Sequence, residues 1–140
     1  MKRMMIATAL VLALATGWTA QQLWASHQES KTRCFELRIY TVLPGRMDAM
    51  NARFKDHTNL LLTKHHITLL GFWQPQGDDA SKKLYYLVAH PSRAEAEANW
   101  KAFVADPDWH KARDASEKDG KIVEKVERVW LDPTAYSMMK

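Results

Sequence analysis

Along residues 35 to 40 the chain alternates, with Phe35, Leu37 and Ile39 on one side and Glu36, Arg38 and Tyr40 on the other. A period of two is that of a β-strand whose two faces meet different surroundings. Pro44-Gly45-Arg46 breaks the run, and the spacing then changes. Met47, Met50, Phe54, His57 and Leu61 recur at steps of three and four, the stripe of an amphipathic helix that is expected to end near His65 or His66. "TLLGFW" (68–73) reads as a short buried strand, "PQGDDASKK" (75–83) as a polar turn region and "LYYLVAH" (84–90) as a third strand, the last two strands forming a hairpin.

A second helix starts in "PSRAE", where Ser92 can cap the first turn and Glu95 stands three residues on, the capping-box pattern. Its buried stripe is predicted to be Ala96, Trp100 and Phe103. "ADPDWHKAR" restarts the helix, with Asp106 as cap and Pro107 in the first helical position. "KIVEKVERVWL" is the last strand and "DPTAYSMMK" a tail. The order strand, helix, strand, strand, helix, strand is that of the ferredoxin-like split βαβ unit, an α+β fold. Two helices cover one face of a four-stranded sheet, so the second face is expected to be closed by a second copy. Strand one is central in that order, which predicts that the Glu36, Arg38, Tyr40 face lies at the dimer interface or in the lumen.

The first 25 residues do not fit this pattern. Lys2 and Arg3 precede a run without charge from Met4 to Trp18, and Gln21 and Gln22 follow. This is the layout of a secretory signal, cut after Ala20 or Ala25; read through to Trp24, it is an uncleaved anchor instead. The expected organisation is a signal over 1–25, a short linker over 26–34 and one domain over 35–137. Export, to the periplasm or medium, follows from the signal, and the membrane is a partner only through an uncleaved leader. Without Lys2 and Arg3 the basic residues fall from 20 to 18 against 16 acidic ones, so the net charge drops from +4 to +2. The remaining positives alternate with acids, as in "KDGKIVEKVER", which excludes a phosphate-tracking stripe and with it a nucleic-acid partner. Cys34 is the single cysteine. It can form no disulfide within the chain.

The adjacent histidines of "TKHHITLLGFW" invite a metal reading, but helix-borne ligands converge at a spacing of four, whereas neighbours point about 100° apart. One histidine is expected to complement the carbonyl end of the helix and the other to seat the turn. No metal and no cofactor are expected. His57 interrupts an apolar stripe, so it is either a satisfied core histidine or a base lining a cavity between helix and sheet. Glu36 and Arg38 are two residues apart on one face and can pair; with Tyr40 they can also contact a ligand. Trp73, Trp100 and Trp109 are anchors or the walls of a site for a small apolar or aromatic molecule. With His65 these six complete the candidate ligand-binding set. Neither a Ser-His-Asp order nor a phosphate-cradling glycine loop stands out.

"FELRIYTVLPGRMDAM", the helix carrying His57, "KHHITLLGFW", "ADPDWHKAR" and "LDPTAYS" together resemble a NIPSNAP domain over roughly residues 35 to 137. The resemblance implies a dimeric α/β barrel made of two ferredoxin-like units, and His57 matches a family histidine. It implies little about activity. A homodimeric module for a small ligand or for assembly is the expected function. The alternative is a cofactor-independent monooxygenase or isomerase with His57 as base and Arg38 or Tyr40 steadying an oxyanion. Export gives a first prediction: fractionation of cells producing the full chain places it outside the cytoplasm, and a soluble cytoplasmic product that keeps Met1 refutes the reading.

Overall fold

The computed structural model describes residues 33–140; the predicted signal, and the linker up to residue 32, lie outside them. Four strands form one antiparallel sheet: β1 (Cys34–Val42), β2 (Thr68–Trp73), β3 (Lys83–His90) and β4 (Val123–Leu131), in the spatial order β2-β3-β1-β4. This is the ferredoxin-like arrangement, with β1 and β3 central. The connection from β1 to β2 is helical throughout, through α1 (Met47–Arg53), a π-helical turn (Phe54–Thr58) and α2 (Asn59–Lys64). Between β3 and β4 run α3 (Arg93–Ala105) and α4 (Pro107–Ser116).

Both predicted caps form. Ser92 Oγ accepts from Glu95 N at 3.2 Å, and Asp106 Oδ1 accepts from Asp108 N at 2.8 Å, with Pro107 opening α4. Ala96, Trp100 and Phe103 are the residues α3 buries. At the end of α2, Ile67 N donates to Leu62 O and His66 N to Thr63 O, both at 3.0 Å, while His66 adopts φ 58°. These two bonds and the left-handed residue are a Schellman cap, with Ile67 and Leu62 both buried beside it. The "HH" pair is therefore a helix stop: His65 is the last helical residue's neighbour and His66 supplies the left-handed turn.

The first helical stripe differs from its prediction in one position. His57 is exposed, and Thr58 is buried in its place, its Oγ1 donating to Arg53 O at 3.1 Å. The reason is the π turn, which holds one more residue than an α turn and so passes the inward position from 57 to 58. Arg53 is buried as well, its guanidinium reaching Glu117 Oε1 at 3.2 Å.

Register fixes which side of the sheet the helices cover. Arg38 lies opposite Tyr86 and Arg128, Glu36 opposite Val88 and Trp130, and Tyr40 opposite Leu84. Tyr86, Val88 and Leu84 belong to the core with Phe54, Leu62, Trp100 and Phe103, so Glu36, Arg38 and Tyr40 point toward the helices. The expectation that this face lies at a dimer interface or in a lumen is corrected: it is the helix-covered face. The even positions of β1 share a side with the fully buried aliphatics of β3, and that larger buried set decides which face the helices take. In β2 a bulge between Leu69 and Gly71 resets the alternation, so that Leu69 and Phe72 both pack on the core. Tyr40, Phe54, Phe72 and Tyr86 form its aromatic centre, with Phe54 edge-on to Tyr86 at 5.2 Å and Phe72 stacked on it at 5.4 Å.

The opposite face carries Leu37, Ile39, Tyr85, Leu87, Val129, Leu131 and Trp73. No helix covers it. Trp73 is 54% exposed and its indole folds back over Gly71, where an added Cβ would lie 2.6 Å from the ring. Only the end near Phe35 is covered, by the tail: Pro133, Thr134, Ser137 and Met139 enclose a pocket of about 270 Å³ with Phe35, Leu87 and Leu131. A left-handed residue with a Cβ is strained by about 1–2 kcal/mol. His66→Gly is therefore expected to stabilise the domain by about 0.5–1 kcal/mol after the entropic cost of glycine, read as a higher melting temperature; an unchanged or lower one rejects the strain.

A buried carboxylate between sheet and helix as candidate functional site

Glu36 sits on β1 between its two neighbouring strands and beneath α3, with no exposed surface. Each carboxylate oxygen is shared. Oε2 accepts from Trp100 Nε1 at 2.7 Å and from His90 Nε2 at 3.3 Å. Oε1 accepts from Arg38 Nη1 at 2.9 Å, and Arg128 Nε stands 3.8 Å away. The hydrogen-bond donors come from β3, β1 and α3 and the nearby second guanidinium from β4, so a single acid ties three strands to the helix. Burial pushes this carboxyl up, but the His90 hydrogen bond, the Arg38 charge and the Trp100 hydrogen bond outweigh it and hold it below the ordinary glutamate range. It is a fixed anion. The Arg38 guanidinium lies over the Trp100 ring at 4.1 Å; burial works against its charge, but the Glu36 carboxylate that it hydrogen-bonds at 2.9 Å holds it protonated.

Beyond it, Tyr86 donates to the Tyr40 hydroxyl at 3.1 Å. Burial, then Tyr40, push the Tyr86 phenol well up, so it stays neutral. The wall from Glu36 through Arg38 to the Tyr40–Tyr86 pair is thus an anion, a cation and two neutral hydroxyls, flanked by Trp100.

A second polar centre joins the helices. Asp106 accepts from Lys64 Nζ at 2.8 Å and from His65 Nε2 at 2.6 Å, besides capping α4. The Lys64 and His65 hydrogen bonds hold its carboxyl far below the usual range. His57 lies elsewhere, in a groove of about 340 Å³ between the π turn and α4, lined by Asp56, Leu60, Leu61, Asp108, Lys111, Ala112 and Ala115.

Of the sequence-predicted site residues, Glu36, Arg38, Tyr40 and Trp100 come together. Trp109 packs on Phe103 at 4.7 Å with the Arg53 guanidinium 5.4 Å from its ring, His65 joins Asp106, Trp73 lies on the open sheet face and His57 faces solvent. Three participants escape the sequence reading: His90, Arg128 and Trp130. The signal for them was register, since His90 and Val88 share a strand face and "VERVW" places Arg128 and Trp130 on one side of β4. Chemically the arrangement holds charge in place. Among the described residues no group of three or more His, Cys, Asp or Glu is set to hold a metal, and a carboxylate with this many donors is a weak proton acceptor.

The NIPSNAP family model matches residues 35–138. No curated protein matches the chain. Among solved structures, a NIPSNAP family protein of unknown function from Agrobacterium tumefaciens superposes with a TM-score of 0.69 at 18% identity, over 80% of this chain and 97% of that one. An uncharacterized NIPSNAP-like domain protein from Burkholderia xenovorans gives 0.67 at 14% identity, over 77% and 90% of the two chains. At such identities the likeness is one of fold.

The lowered Glu36 acidity sets the sign of a pH effect. Its stabilisation is complete above the unfolded-state value near 4.5 and is lost as pH falls through the lower folded value. Glu36→Gln is expected to destabilise by about 3 kcal/mol near neutrality, because two guanidiniums lose their counter-charge. In denaturant titrations the gap to wild type should narrow below pH about 4.5. His57→Gln, at an exposed position, is expected to stay within about 0.5 kcal/mol of wild type. A pH-independent gap would remove the carboxylate from this role.

Proposed function

The chain belongs to the NIPSNAP family, and from that premise we propose that it works as an exported homodimer that holds a small molecule between its helices and its sheet rather than transforming it. The observation that carries the dimer is the uncovered sheet face. Leu37, Ile39, Tyr85 and Leu87 are only half-buried there, and Val129, Leu131 and Trp73 are exposed at 42%, 41% and 54%. Contiguous apolar surface of this kind marks an association site, and a second copy presenting the same face would bury it on both sides at once, as closed two-fold pairs do. Two ferredoxin-like units closed in this way make the dimeric α/β barrel.

Support for holding over turnover comes from the helix side. Glu36 is too well solvated by donors to take a proton, and Arg38 is locked between that acid and Trp100. His57 is exposed on a groove between the π turn and α4, apart from the Glu36, Arg38 and Tyr40 wall.

Light scattering of residues 26–140 is expected to give about twice the mass of one chain. Val129→Glu places a charge on the open face of an edge strand, opposite Leu37, and is expected to give a folded monomer, since a buried unpaired charge costs several kcal/mol. A wild-type monomer at micromolar concentration, or a Val129→Glu dimer as tight as wild type, rejects this interface.

A further inference from the structure

We propose that Arg38 and Arg128 form a binding site for one organic carboxylate, on the helix side of the β1–β4 pair. This deepens the ligand-holding reading by naming the chemistry of the ligand. Arg38 and Arg128 are directly opposite one another in the antiparallel register, a placement in which like charges repel. Both lean on the same oxygen, Glu36 Oε1, at 2.9 and 3.8 Å. The other oxygen is occupied by Trp100 and His90. Donors therefore outnumber acceptors: Arg38 Nε is buried without a partner among the described residues, and Arg128 is left with its two Nη groups on a side chain 42% exposed.

Charge follows the same balance. Two guanidiniums face one carboxylate, which leaves a single positive charge, whereas the neighbouring Arg93 has Glu97 at 4.0 Å. Lys125 and Glu127 pair with each other on the opposite face, and Asp132 lines the pocket under the tail; neither acid offsets the arginine pair. The shortfall is one negative charge bearing acceptor oxygens, which a monoanionic carboxylate supplies in the planar form that guanidinium forks match. A phosphate dianion would overshoot it. Trp130 stands beside the pair, its indole lying 5.2 Å from the Arg128 guanidinium and 3.7 Å from that of Arg93. With Trp100 under Arg38, the charged spot has aromatic neighbours suited to a carboxylate on a small aromatic body.

The test is titration of the full-length or 26–140 protein with sodium benzoate, and separately with inorganic phosphate, at constant ionic strength, read by tryptophan fluorescence and by melting temperature. Benzoate is expected to give a saturable change in wild type that weakens about tenfold or more in Arg128→Gln, the loss of one charge-assisted contact. Lys125→Gln removes the same charge from the same strand on the other face and is expected to bind as wild type does. Absence of saturation in wild type overturns the site, as does equal weakening in both variants, which would mark bulk electrostatics, or phosphate binding as tight as benzoate. Native mass spectrometry of the purified protein separates this failure from that of the broader reading: a neutral molecule retained equally by wild type and Arg128→Gln keeps the binding module and overturns the carboxylate.

Discussion

One buried anion organises this domain. Glu36 has no contact with water, yet it remains ionised because an indole, an imidazole and a guanidinium donate to it and a second guanidinium stands near. An isolated charge in that position would be expelled or neutralised. Its partners must therefore be held, and holding them fixes the placement of α3 over the junction of β3, β1 and β4. Trp100 is the link, since it buries apolar surface in the core while its single N–H meets the acid.

The helical connection between β1 and β2 shows how local irregularity serves that frame. A continuous α-helix over 47–64 would offer either 57 or 58 as its inward position. The π turn selects Thr58, whose hydroxyl is satisfied by the Arg53 carbonyl, and leaves the imidazole of His57 outside. The helix then ends on a Schellman cap that bends the chain straight into β2, with Leu62 and Ile67 closing the corner. Asp106 gathers Lys64 and His65 at the same corner, so the end of one helical connection is tied to the start of α4 in the other.

The two faces of the sheet differ in chemistry. The helix side combines an aromatic core with an arginine-rich polar wall, where donors exceed acceptors. The open side is apolar and half-exposed, partly capped by the protein's own tail. Separating the two keeps the polar network and the apolar surface from competing for the same area, because strand side chains alternate and each residue serves one face only.

Alternation and helical spacing along the chain were enough to place all four strands, both capped helix starts and the βαββαβ order, because those patterns are local and repeat within each element. The residues quoted for the NIPSNAP resemblance likewise lie in contiguous stretches, and the family match covers them. Glu36, Arg38, Tyr40 and Trp100 were legible as chemistry for the same reason: charged and aromatic groups on a strand or stripe are visible one element at a time. Which face the helices would cover was not. Phe35, Leu37 and Ile39 are as apolar as any core set, and the choice fell to β3, whose Leu84, Tyr86 and Val88 align with the polar side of β1 only once register is fixed. The same holds for His90 and Arg128, which meet Glu36 across strands distant in sequence, and for His57, where a difference of one residue per turn decided between core and solvent. Spacing is set by neighbours along the chain; pairing and facing depend on the sum of burial over the whole sheet, a quantity that exists only after the chain has folded.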